Sequence, residues 1–68
     1  MIPCDVPTCR DEGFPSALGD LCPRHDEQCE RDRDGASWTQ AFIDAGPDAN
    51  EGEITSEWYS RWLVEQAS

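Results

Sequence analysis

Cys4-Asp5-Val6-Pro7-Thr8-Cys9 and, after twelve intervening residues, Cys22-Pro23-Arg24-His25 set out four soft or borderline metal ligands in two close pairs. Zinc takes four such donors at the corners of a tetrahedron, and two pairs joined by a loop supply them with little strain. In the first pair, Pro7 lies in a turn that can curl both sulfurs inward. In the second, Pro23 suits a first helical position, where its missing N–H costs nothing, and Cys22 and His25 at i and i+3 share one face. The spacing predicts an irregular zinc knuckle followed by a helix start, each supplying two ligands.

Cys29 is a fifth candidate for four positions, and helix geometry separates it from Cys22. Seven residues at about 1.5 Å each put the two about 10.5 Å apart along the axis. Two sulfurs on one zinc sit only about 4 Å apart, given bonds of about 2.3 Å. The favoured set is therefore Cys4, Cys9, Cys22 and His25, with Cys29 a buried free thiol or an alternate ligand. Competing readings of the same residues are two disulfides, an iron–sulfur cluster, or unconnected buried thiols.

Moving outward, the 68-residue chain carries 15 acidic and five basic side chains, a formal charge of −10, and every base is arginine. Leu, Ile, Val and Phe number only ten, which with this charge is the composition of a disordered chain unless something else holds it. A structural zinc ion is that something. A chain this short buries about 60% of its unfolded surface, so one domain over 1–68 is expected and a deep catalytic pocket is not. Residues 1–34 form its zinc-binding part and 35–68 a helical, aromatic-rich part. No stretch is long and apolar enough for a membrane span, and Met1-Ile2-Pro3-Cys4-Asp5 lacks the regions of a signal peptide. A cytoplasmic, reducing location is expected, which disfavours disulfides.

Prolines and glycines between Pro3 and Gly19 leave room for turns and at most one short hairpin. Arg24 to Asp34 is helix-compatible but has no apolar stripe, so it needs an anchor at its beginning. Ser37-Trp38-Thr39-Gln40 fits a capping box for a helix carrying Trp38, Ala41, Phe42 and Ala45, with Gly46-Pro47 as its stop; Gly35 either breaks the chain before it, the favoured reading, or sits inside one long helix. Pro47 to Glu53 reads as a polar loop. Thr55 or Ser56 then caps a last helix whose Trp58, Tyr59, Trp62 and Leu63 share a face. The expected class is small, zinc-stabilised and mainly α, with two or three helices.

The pattern CxxPxC at Cys4 to Cys9 and LCxxH at Leu21 to His25 resembles that of very small treble-clef-like zinc proteins of actinobacteria and their bacteriophages. The resemblance covers about 26 residues. It implies a knuckle and a helix start each giving two ligands, but no single task, because this fold is reused. Relatives of that kind that touch nucleic acid are typically basic around the metal; this chain is not.

A catalytic zinc keeps a position open for water beside a general base, and neither HExxH nor HxE with a following CxxC is present. Asp26 and Glu27 read as a solvated helix face with charges well placed near its start. A Cys29–His25 nucleophile lacks an orienting third group. No enzyme activity is expected. The charge opposes binding to phosphates or anionic membranes and favours a protein partner with a basic face. Trp58, Tyr59 and Trp62 are either the core of a helical pair or, since such rings anchor interfaces, partner-binding residues, with Val64 at the edge and a homodimer as one outcome. The expectation is an acidic zinc-stabilised protein-binding module, for example a phage inhibitor of a basic, nucleic-acid-handling host protein. Asp26, Glu30 and Asp34, with Asp5, Asp11 and Glu12, would contribute to a DNA-mimicking ridge. A zinc-finger-type nucleic-acid-binding regulator is the alternative.

Overall fold

The structure, a computed structural model, describes residues 2–67. A two-stranded antiparallel hairpin, β1 (Phe14–Pro15) and β2 (Asp20–Leu21), precedes three helices, α1 (Pro23–Arg33), α2 (Ala36–Ala45) and α3 (Glu51–Ala67). An isolated bridge joins Pro3 to Glu12 ahead of the hairpin. No helix among the described residues is long and apolar enough to cross a membrane.

Local chemistry explains most boundaries. Cys22 is the N-cap of α1, its carbonyl accepting from the Asp26 N–H at 2.8 Å, and Pro23 takes the first helical position as the sequence predicts. Gly35 separates α1 from α2, and Gly46, with φ at +82°, ends α2 in a backbone region that side-chain-bearing residues rarely adopt.

Two expectations fail at helix starts. Ser37 does not cap α2: Gly35 is the N-cap, and the Ser37 hydroxyl accepts from the Trp58 indole N–H at 3.1 Å. The last helix begins at Glu51, inside the segment expected to be loop, rather than after Thr55 or Ser56. Asn50 Oδ1 accepts from the Gly52 N–H at 2.8 Å, and the Asn50 carbonyl from the Ile54 N–H at 3.1 Å, so Asn50 is the effective cap. The acids Glu51 and Glu53 then sit in the first turn, where the helix dipole favours them.

One hydrophobic cluster draws on both halves of the chain. Cys4, Val6, Leu21, Cys22 and Cys29 pack with Trp58, Tyr59 and Trp62 from α3, and Trp38, Ala41, Leu18 and Leu63 flank them. The body measures 39 × 18 × 18 Å, with a radius of gyration of 12.4 Å against about 11 Å for a compact chain of this length. That elongation leaves little interior, and none of the residues of α2 is fully buried.

Candidate metal centre

The knuckle is built by short backbone bonds. Cys9 N–H donates to the Val6 carbonyl at 3.0 Å, closing a turn with Pro7 at its second position, where the fixed φ of proline fits. Cys4 N–H donates to the Asp11 carbonyl at 3.1 Å, and Asp5 N–H to that of Asp20 at 2.7 Å, which ties the knuckle to β2. Val6, at 1% exposure, points into the core beneath the turn. The helix start of α1 then brings Cys22 and His25 up from the other side.

Cys4, Cys9, Cys22 and His25 lie together, every ligand atom within 4.8 Å of the others, and can hold a metal ion. The Cys9 and Cys22 sulfurs are 3.9 Å apart, and His25 Nδ1 is 3.2 Å from Cys22 Sγ and 3.5 Å from Cys4 Sγ. A tetrahedron with metal–sulfur bonds of about 2.3 Å and metal–nitrogen bonds of about 2.05 Å has edges of about 3.6 to 3.8 Å. The donor set fits that figure through Nδ1 of His25. Cys4 and Cys22 are buried, whereas Cys9 and His25 are half-buried, so the cluster sits just under the surface.

Cys29 does not join the cluster. It is 4% exposed, within the core one helical turn beyond His25, and burial pushes its thiol up to about 11, helped by the nearby Asp26, Asp32 and Glu30 and opposed by Arg33. All four cysteines are free thiols rather than disulfides. The thiols of the cluster divide. Burial opposes ionisation of Cys22, yet the backbone N–H groups of His25 and Arg24, with the Cys9 and Cys4 thiols, hold its pKa below the ordinary value. At Cys9 the backbone N–H of Asp11 favours the thiolate, but burial and the Cys4 and Cys22 sulfurs outweigh it and push the thiol up to about 11.

Around the cluster, α3 supplies aromatic support that spacing in the sequence does not reveal. The Trp62 ring meets the His25 imidazole edge-on at 6.3 Å and stacks with Tyr59 at 6.1 Å. Its indole N–H donates to Asp32 Oδ2 at 2.6 Å, so α1 is fastened near both ends. The Tyr59 hydroxyl donates to Asp5 Oδ2 at 2.8 Å, and the same oxygen accepts from the Asp20 N–H at 3.0 Å. Gly19 is required there: a Cβ would run into the Asp5 carboxylate and the Tyr59 hydroxyl together. Burial, with the Asp5 carboxylate as acceptor and nearby charge, raises the Tyr59 pKa well above its ordinary value.

The three rings named as partner-binding residues, Trp58, Tyr59 and Trp62, are 6%, 9% and 3% exposed. They are core, and the surface they were expected to offer is spent on Cys4, Cys22 and the hairpin. The one sign of this in the sequence is that a buried Trp or Tyr wants an acceptor for its polar hydrogen, and this chain has carboxylates in excess. The aromatic residues that remain accessible are Phe14 on β1, which is exposed, and the half-buried Trp38 and Phe42 on α2.

No known protein family, curated protein or solved structure matches the chain.

Proposed function

We propose that the chain is a zinc-stabilised acidic module that docks on the basic face of another protein. The observation that supports this most directly is the placement of charge: a formal −10 on 68 residues, with no charged residue buried among those described. Among the described residues that surface carries two ion pairs, Arg31–Glu27 and Arg61–Glu57, both exposed i,i+4 contacts, which contribute little. Most of the acidic charge therefore projects a long-range field that steers a basic partner inward and repels nucleic acid and anionic lipid.

Zinc is the ion that three thiolates and an imidazole at tetrahedral spacing suit best. Four protein donors leave it no open position for water, so its role is structural and the chain is not an enzyme. The knuckle and helix start keep the resemblance to small treble-clef-like zinc proteins. Nucleic-acid-handling proteins, whose working surfaces are basic, are the partner class this charge fits, and modulation of such a host protein by a phage-encoded chain is the setting that the resemblance suggests.

The test is titration of the zinc-loaded chain with a synthetic lysine-rich helical peptide at about 0.1 M and about 1 M salt, between which the Debye length falls from about 10 Å to about 3 Å. Binding that weakens steeply with salt is expected. Absence of binding at the lower salt, or a mobility shift of duplex DNA there, overturns the reading.

A further inference from the structure

α2 is the described helix with no fully buried residue, although it carries Trp38, Phe42 and Ile43. Ile43 is 65% exposed, and Trp38, Thr39, Phe42 and Ile43 line an open groove of about 390 Å³. Trp38 forms the wall between this groove and a second depression lined by Glu30, Arg33 and Asp34. Trp38 itself is fixed from two sides: its ring packs on Phe42 at 5.0 Å and edge-on to Trp58 at 4.9 Å. The Arg33 guanidinium lies 5.0 Å from the ring centroid. The surface thus pairs a preorganised apolar strip with a flank of two carboxylates and Arg33, whose guanidinium is already engaged on the Trp38 ring, a combination that costs little ordering on binding.

We infer that the α2 groove, Trp38-Thr39-Phe42-Ile43 with Glu30 and Asp34 alongside, is the docking surface for an amphipathic helical segment of a partner protein, with aliphatic side chains on one face and Lys or Arg beside them. The inference rests on the acidic-module reading and gives it a place on the molecule. Charge complementarity selects the occupant. A second copy of the chain would bring −10 against −10, whereas a basic segment meets Glu30 and Asp34 while its aliphatic face covers Phe42 and Ile43. Apolar burial at the groove supplies the affinity that surface charges alone do not.

The experiment uses the zinc-loaded full chain, isotopically labelled, with two synthetic helical peptides of equal charge, one leucine–lysine amphipathic and one alanine–lysine. The amphipathic peptide is expected to bind at least about tenfold more tightly, a difference of about 1.4 kcal/mol. Amide shifts should concentrate at Thr39, Phe42 and Ile43, and Ile43→Ser should abolish the preference while leaving thermal unfolding unchanged. Glu65→Lys, which makes the chain less acidic by two charges on α3 and away from the groove, should weaken both peptides alike. Equal binding of the two peptides, with shifts spread over α1 and α3, overturns the groove and leaves the charge-docking reading standing. Binding of neither peptide at low salt overturns both. A chain that dimerises through Ile43 more strongly as salt rises assigns the groove to a second copy and overturns the inference.

Discussion

The Tyr59 hydroxyl donates to Asp5 Oδ2 at 2.8 Å across a separation of 54 residues, joining the last helix to the residue that follows Cys4, the first cysteine of the cluster. Because Asp5 also accepts from the Asp20 N–H, this contact holds knuckle, hairpin and α3 in one arrangement. Tyr59→Phe keeps the ring and removes the bond. A loss of about 1 to 2 kcal/mol is expected in chemical denaturation of the metal-loaded protein. Gly19→Ala, which puts a methyl group between the two partners, should be worse than Tyr59→Phe.

The same contact gives alkaline sensitivity. Tyr59 has a folded-state pKa raised above its ordinary 10.0, so the folded state holds that proton more tightly than the unfolded one. The stabilisation is whole below about pH 10 and is lost as pH climbs from there towards the folded value. Cys29, raised from 9.0 to about 11, acts in the same direction over its own window. Thermal scans should show the melting temperature falling above about pH 9 to 10, and Tyr59→Phe should flatten the upper part of that fall.

Metal removal tests the centre. Native mass spectrometry is expected to find one ion per chain in the wild type and in Cys29→Ala, and none in Cys9→Ser or Cys22→Ser. Structural zinc supplies on the order of 10 kcal/mol or more in finger peptides, so the ligand variants and chelator-treated wild type should lose folded structure by circular dichroism. Acid should do the same, since protonated thiols release the ion. A folded, ion-free Cys22→Ser protein would contradict the centre.

At the start of α3 the structure separates two sets of hydroxyl and amide side chains. Asn50→Ala should cost about 0.5 to 2 kcal/mol because it deletes the acceptor for Gly52 N–H. Ser56→Ala, at an exposed position within the helix, should lie within about 0.5 kcal/mol of wild type by the same denaturation assay.

Burial sorts the aromatic and aliphatic residues of the two later helices. Trp62→Ala, at a site 3% exposed, is expected to cost about 3 to 5 kcal/mol and to leave Asp32 Oδ2 without its indole donor. Ile43→Ser, at a site 65% exposed, should leave stability within about 0.5 kcal/mol. Parallel denaturation of the two variants measures the contrast.

The ligand pairs were legible in the residues alone because metal chemistry fixes donor type and donor spacing over short stretches. Cys4 with Cys9, and Cys22 with His25, are each within one turn of chain, so local geometry decides whether they can share an ion. The same rise per residue set Cys29 aside. Pro23 at a helix start and Gly46 as a stop were equally local, each following from one residue's backbone geometry, whereas Gly35 left both a break and one long helix open until the structure made it the N-cap of α2. Asn50 was missed for a different reason: Thr55 and Ser56 are equally good caps in isolation, and the extra turn is selected by Ile54 reaching a buried position.

What the sequence by itself determined, then, is a knuckle and helix start whose donors can hold a metal ion, on a strongly acidic chain with two or three helices, since each follows from residues within a few positions of one another. Only the tertiary structure decided which aromatics are interior. Trp58, Tyr59 and Trp62 found acceptors in Ser37, Asp5 and Asp32, 21, 54 and 30 residues away, and so turned inward. No local rule pairs groups at such distances; the packing of α3 against the knuckle does. With those rings inward, α2 is left carrying Phe42 and Ile43 on the outside.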